Sequence, residues 1–357
     1  MNAKNILAEL VQGRRMESEE FLFLFHEADL LELAQAAALV RDRLFPDNLV
    51  TFIIDRNINY TNICSCGCRF CAFYRSPGAE DGYVITEEEL FNKIREALDL
   101  GATQVMIQGG LHPDLGIEFF ENMFQSIKEN FNITVHSLTA PEIAHIAKVS
   151  GLTTRETLKR LAAAGLDSLP GGGAEVLHDE IRSYISPNKI KTKEWLRIME
   201  EAHETGLKTT ATMMMGSIDG PEHRLAHLEA VRSLQDRTGG FRAFILWTYQ
   251  PGNNELMGQK VTSSEYLRTL ALSRLYLDNI EHIQGSWVTQ GEQIGQLSIF
   301  FGADDLGSIM IEENVVKATG LCYRMSRERM IELIRKTGKT PALRDTEYKI
   351  LQVYDEL

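Results

Sequence analysis

Apolar residues along this chain change period near residue 50. Before that point they recur at helical spacing. Leu7, Leu10 and Val11 precede Gly13, and Ser18 reads as the cap of a second helix with Glu19 and Glu20 in its first turn. Leu30, Leu31, Leu33, Ala34 and Ala37 to Val40 continue the apolar face until Pro46 stops it. Beyond residue 50, short apolar runs alternate with amphipathic stretches. The runs predict strands at Val50–Ile54, Gln104–Gln108, Ile133–Leu138, Gly165–Leu169, Lys208–Met215, Ala243–Trp247, His282–Trp287 and Ser298–Phe301. Thr86-Glu-Glu-Glu89 and Thr262-Ser-Ser-Glu265 read as helix starts, and Thr192 reads as a cap of the helix that Gly206 ends.

Strands that alternate with helices predict an α/β fold, here a (β/α)8 TIM-type barrel over residues 49–310. An N-terminal helical extension covers residues 1–48, and a helical C-terminal extension, with Ser326 as a cap, covers residues 311–357. In such a barrel the active site lies at the C-terminal ends of the strands. The segments richest in chemistry follow predicted strands: a cysteine loop after the first, then Gln108-Gly-Gly-Leu-His112, His136-Ser-Leu-Thr139, Pro170-Gly-Gly-Gly-Ala-Glu175, Trp287-Val-Thr-Gln290 and Ala303-Asp-Asp305. They converge on one mouth.

A chain of 357 residues with 44% hydrophobic and 24% charged residues buries a sizeable core. The net charge of −13 excludes a sequence-independent nucleic-acid or anionic-membrane binder. No secretory signal and no membrane span is visible. Four of the five cysteines fall within residues 64 to 71, a poor disulfide framework, and a reduced cytoplasmic setting fits better.

Cys64, Cys68 and Cys71 form a C-x3-C-x2-C run. Three thiolates so spaced can hold three irons of a four-iron cluster, which would leave one iron open for chemistry. The bland alternative, a structural zinc site, normally brings a second pair of Cys or His, and Cys322 stands alone. Cys66 is out of register and reads as a spectator thiol, and Cys322 reads as a small buried hydrophobe. Met213-Met-Met215 reads as barrel core. Gly171-Gly172-Gly173 lacks a phosphate-binding lysine or a second glycine motif, so it reads as a turn rather than a dinucleotide cradle. His136 and His112 lack a third metal ligand, which leaves His136 as a candidate catalytic or substrate-orienting group. Asp304, Asp305, Glu312 and Glu313 form an acidic cluster in which Asp304 or Glu312 is the expected general base.

The cysteine spacing with its aromatic neighbours resembles the signature of the radical S-adenosylmethionine (SAM) superfamily. That resemblance implies a [4Fe-4S] cluster on Cys64, Cys68 and Cys71 that chelates SAM and reduces it, releasing a 5′-deoxyadenosyl radical. It implies SAM contacts from Phe70, Gln108, Gly109 and Gly110, with Glu175 and Ser137 near the ribose. Asp55-Arg-Asn-Ile-Asn-Tyr-Thr-Asn-Ile-Cys64, Cys71-Ala-Phe-Tyr74 and Leu169-Pro-Gly-Gly-Gly-Ala-Glu175 are similar to the menaquinone and deazaflavin branch. Thr209-Thr-Ala-Thr-Met-Met214, Gly285-Ser-Trp-Val-Thr-Gln-Gly291 and Gly302-Ala-Asp-Asp-Leu-Gly-Ser308 are similar to its cyclase subfamily. The implied reaction takes hydrogen from C4′ of a ribose and closes a ring on an attached benzoate. Its small-molecule substrate needs polar anchors, for which Asn57, Tyr60, Trp287, Thr289 and Gln290 are candidates. A flavodoxin or ferredoxin would supply the electron. Aminofutalosine synthases and deazaflavin synthase halves are alternatives within the branch. A non-catalytic iron–sulfur or zinc-binding protein is the alternative from another class.

Overall fold

The structure, a computed structural model, describes residues 1–355. Three helices, Ala3–Val11, Ser18–Glu27 and Leu30–Leu44, form the N-terminal extension. Asn2 caps the first through the Asn5 N–H, and Asp29 caps the third through the Leu31 N–H at 2.8 Å. Ser18 is not a cap: its hydroxyl meets that of Tyr276 at 3.1 Å, and Glu20 reaches back to the Glu17 N–H instead.

Eleven strands follow: β1 (Leu49–Ile53), β2 (Asp55–Asn59), β3 (Gln104–Gln108), β4 (Thr134–Ser137), β5 (Ser168–Leu169), β6 (Lys208–Met215), β7 (Phe241–Thr248), β8 (His282–Gln284), β9 (Asp305–Ser308), β10 (Thr340–Arg344) and β11 (Ile350–Val353). Their order is β11-β10-β1-β9-β8-β7-β6-β5-β4-β3-β2. β1 and β2 are one extended run broken only at Ile54, so the two ends of the parallel series meet through the chain itself. The backbone after β9 continues along this run, with Ile309 N–H donating to Ile53 O and Ile311 N–H to Asp55 O. The result is a parallel barrel with helices outside.

Two expected strands differ. Ser298–Phe301 is helical, and the last parallel strand is Asp305–Ser308. Short apolar runs carry no period of their own, and here Ile299 and Phe301 are buried from a helical turn. Strand β8 ends at Gln284, and Trp287–Gln290 is a short helix. Gly285 makes this turn possible, since a Cβ there would lie 1.9 Å from Ser298 Oγ. The predicted starts at Thr86 and Thr262 are present, each accepting the N–H three residues on.

The C-terminal region holds the helix Arg327–Arg335, capped by Ser326, and then a hairpin that periodicity did not announce. β10 pairs parallel with β1 beside the barrel, and β11 pairs antiparallel with β10. Val50, Phe52, Trp287, Leu306, Met330 and Leu333 form a separate apolar cluster that seals this region to the barrel.

The polar side of β2 faces inward. Asp55 and Asn57 line the barrel interior, whereas Arg56 pairs outside with Glu96 and Glu312. A strand whose polar residues point into the barrel marks a cavity rather than a packed core.

Candidate active site

The chain leaves β2 at Asn59 and enters the cysteine loop. Tyr60 is buried beneath that loop, its hydroxyl donating to Glu142 Oε1 at 2.9 Å. Glu142 Oε1 also accepts the Gly109 N–H at 3.0 Å, while Oε2 caps its own helix at Thr139. This one carboxylate therefore ties together the ends of β2, β3 and β4. A Cβ on Gly110 would lie 2.1 Å from Ile63 O, and one on Gly109 would lie 2.8 Å from the Tyr60 ring. Both glycines are needed for the cysteine loop to pack against β3.

Backbone hydrogen bonds fasten the loop on three sides: Cys64 N–H to Arg75 O, Ser65 N–H to Leu111 O, and Arg69 N–H to Ile185 O. No disulfide forms among Cys64, Cys66, Cys68 and Cys71. The Sγ atoms of Cys66 and Cys68 lie 3.5 Å apart. Sharing that hydrogen bond holds the Cys68 thiol low and pushes Cys66 up, and the Lys189 ammonium adds to the depression at Cys68. Burial raises Cys64 and Cys71. Lys189 donates to Glu175 Oε1 at 2.8 Å and sits 5.4 Å over the Phe70 ring. Glu175 is buried at a φ of +43° between Lys189 and Arg182.

The donor set fits a cluster better than a single ion. Zinc bound to sulfur at about 2.3 Å places its ligand sulfurs roughly 3.8 Å apart. Among the described residues, the one group whose ligand atoms all fall within 4.8 Å of one another is His178, Glu180 and His223, not the three cysteines. The sulfurs of Cys64, Cys68 and Cys71 do not all converge to that spacing, which leaves room between them for a multi-iron core.

Below the loop a cavity of about 300 Å³ runs down the barrel axis. Gln108, Gly172 and Val315 line its mouth end, and Arg242, Arg344 and Tyr348 line its floor. Of the expected substrate and catalytic residues, Asn57, His136 and Thr289 line it, as does Gln108.

The others lie elsewhere. Tyr60 is turned away under Gly109 and packs on Phe120. Trp287 is fixed by its ring N–H to Ser308 O at 3.0 Å, within the C-terminal apolar cluster. Gln290 is buried and donates to Thr248 Oγ1 at 2.7 Å. Both displacements follow from residues 287–290 being helical. Ser137 is fully buried and spends its proton on Ile107 O.

The expected bases are also misplaced. Asp304 lies at the start of β9, the end remote from the cysteine loop. It is bound by Arg274, by His282 Nδ1 at 2.7 Å and by the Ile283 N–H. Burial opposes its charge, but Arg274 and these donors hold its carboxyl below the ordinary range. Glu312 lies outside the barrel wall, bound to Arg56 at 2.6 Å and Lys93 at 2.7 Å. Its neighbour Glu313 does line the cavity. Burial raises the Glu313 pKa against three backbone N–H donors, from Val315, Val316 and Lys317. Cys322, expected to be buried, is exposed.

Glu142, Lys189, Arg242 and the lining residues of the hairpin escaped the sequence reading. Arg242 did leave a trace, a lone cation at the head of the apolar run Phe241–Trp247. The others acquire meaning only through partners remote in sequence.

A parallel barrel with an unpaired triple-cysteine loop above its first strand and a polar interior defines an enzyme of the SAM-radical class. Residues 58–231 match the radical SAM superfamily, and residues 238–357 match the CofH/MqnC C-terminal region. The chain belongs to the radical SAM superfamily, whose members use a four-iron cluster and SAM. A cyclic dehypoxanthine futalosine synthase of Streptomyces coelicolor is 47% identical over 98% of this chain and 89% of that protein. One of Halalkalibacterium halodurans is 42% identical over 100% of this chain and 97% of that protein. The fold is also that of a solved methylornithine synthase, with a TM-score of 0.75 at 18% identity, covering 94% of this chain and 97% of that one.

Proposed function

We propose that this chain converts dehypoxanthine futalosine into its cyclic product, a step of the futalosine route to menaquinone. The observation that carries this reading is that the likeness to enzymes of that name spans both the cluster-bearing barrel and the C-terminal region that closes its cavity.

Cys64, Cys68 and Cys71 would hold the cluster. Phe70, Gln108 and Glu175 stand beside it as SAM contacts, while Gly109, Gly110 and Ser137 act by fixing the strand ends. When bound, the cluster and SAM supply a 5′-deoxyadenosyl radical for hydrogen abstraction. The chain's own work is to enclose and fold the substrate. Asn57, His136 and Thr289 orient it from three walls of the cavity, so that ribose and ring are held in contact. Glu313, rather than Asp304 or Glu312, receives the ring proton, because it alone of the three lines the cavity, and the electron lost with that proton would return to the oxidised cluster. A flavodoxin or ferredoxin supplies the electron, and the cytoplasm is the setting. No helix among the described residues is long and apolar enough to cross a membrane.

The test is anaerobic incubation of reconstituted protein with dithionite, SAM and dehypoxanthine futalosine. Deoxyadenosine and cyclised product are expected together. Deoxyadenosine without cyclised product, or neither, refutes the assignment.

A further inference from the structure

We infer that Arg242, at the floor of the cavity, anchors an aryl carboxylate of the substrate, with His136 as the second donor. This rests on the reading above and adds which end of the substrate goes in first.

Buried arginines in this chain have carboxylate partners. Arg41 pairs with Asp42, Arg182 with Glu175, Arg224 with Asp219, Arg274 with Asp304 and Arg344 with Asp305. Arg242 lines the cavity and has no ion pair among the described residues. One of its terminal nitrogens donates to Ser168 Oγ at 2.9 Å, and its Nε is buried without a partner. Asp345 and Glu347 act on it only beyond ion-pair distance. Burial lowers its pKa to about 10, so the guanidinium stays charged at neutral pH. Arg242 is half-buried, and its guanidinium, without a counter-ion, faces a space where an anion fits.

Ser168 defines the second donor. Its Oγ lies 2.5 Å from His136 Nδ1. A guanidinium only donates, so Ser168 accepts from Arg242, and we assign the Ser168 proton to the bond with Nδ1. Burial and the nearby Arg242 hold the His136 pKa well below its usual value, so the ring is neutral. Its single proton then sits on Nε2, and His136 presents a donor to the cavity. Arg344, the other floor cation, is already bidentate on Asp305 at 2.6 and 3.0 Å.

The β2 wall has the opposite character. Asp55 Oδ1 and Asn57 Oδ1 are buried acceptors without donors. They suit hydroxyls and repel a carboxylate. With its one uncompensated cation at the floor, the cavity takes a substrate that has an aryl carboxylate at one end and a hydroxylated sugar at the other carboxylate first. Its sugar is left towards the mouth, where hydrogen abstraction takes place.

The experiment uses the reconstituted holoenzyme in two arms. In the first, binding of a 3-alkylbenzoate and its benzamide is measured by ligand-observed NMR, without turnover. The wild type should bind the benzoate and not the benzamide, and Arg242→Met should lose the benzoate. Equal binding of benzoate and benzamide by the wild type overturns the inference and needs no variant to fold. In the second arm, Arg242→Met should raise KM for dehypoxanthine futalosine on the order of 100-fold, equivalent to ~2.7 kcal/mol. Arg242→Lys should recover part of that loss, and the cluster spectrum should not change. An unchanged KM in Arg242→Met overturns the inference while leaving the proposed function intact. Benzoate binding by a wild type that forms no cyclised product overturns the proposed function and upholds the carboxylate site.

Discussion

The two ends of the barrel are built in opposite ways. At the mouth, the chemistry sits in one continuous loop, Cys64 to Cys71, braced by glycines and by a carboxylate, Glu142, placed behind it. At the floor, the chemistry is assembled from β4, β5, β7 and the C-terminal hairpin, with His136, Ser168, Arg242, Arg344 and Tyr348 drawn from more than half the chain's length. The mouth needs a fixed spacing of thiolates, which local sequence supplies. The floor needs to match one substrate, which requires side chains converging from several strands. The cysteine loop and the polar floor thereby lie at opposite ends of the cavity, and the proposed anchor assigns target selection to the second.

The largest expected effect breaks the mouth alone. Cys68→Ala should abolish SAM cleavage and the iron–sulfur spectrum, because a cluster with two protein ligands does not persist. Affinity of the floor for the benzoate probe should survive. If the cluster spectrum persists at full intensity, Cys68 is not a ligand.

Glu313→Gln tests the middle of the cavity. It should lower kcat roughly 10²–10⁴-fold with little change in KM, as expected for loss of a general base. Glu313 must be ionised to accept a proton, and its pKa is raised by burial. The wild-type rate should therefore fall as pH drops through a value above the usual carboxylate range of about 4.3. The variant should lack that limb. A wild-type rate flat through this range would remove Glu313 from the mechanism.

Asp304→Asn separates structure from chemistry at the barrel's far end. It should cost about 3–5 kcal/mol by leaving Arg274 buried without its partner. The kcat of the folded protein should be unchanged. The wild-type pair has a defined pH sign. The Asp304 pKa is lowered in the fold, so its stabilisation is present above the unfolded carboxyl pKa and is lost as pH falls through the folded value. A large fall in kcat without a fall in thermal stability would return Asp304 to the catalytic site.

Gly110→Ala has the smallest expected effect and tests how the mouth is braced. The Cβ would meet Ile63 O, a backbone atom, so the cysteine loop must shift. A loss of about 1–3 kcal/mol is expected, with reduced iron content after reconstitution. Unchanged melting temperature and iron content would show that the loop is not packed on β3 as described.

How much was legible follows the same division. The alternation of apolar runs and amphipathic helices marked most barrel strands, because each element must turn its own apolar face to a neighbour. It misread Ser298–Phe301, where three apolar residues carry no period, and it could not see β10 and β11, whose place is set by pairing with β1. The cysteine motif was plain because cluster ligation is a matter of spacing within one loop. The acidic cluster after residue 303 was visible, yet which member faces the cavity was not. Asp304 points to Arg274, Glu312 to Arg56 and Lys93, and Glu313 inward, and those directions depend on strand register and on partners over 200 residues away in the case of Arg56 and Lys93.

The sequence by itself determined the three candidate cluster cysteines, because their short-range spacing and aromatic neighbours carry the likeness to SAM-radical enzymes. The tertiary structure alone decided which side chains line the cavity, that Glu313 rather than Asp304 or Glu312 is among them, and that Arg242 has no ion pair among the described residues. Those properties belong to pairs of residues brought together by the closed barrel, and burial gives them their energies only once the barrel has formed.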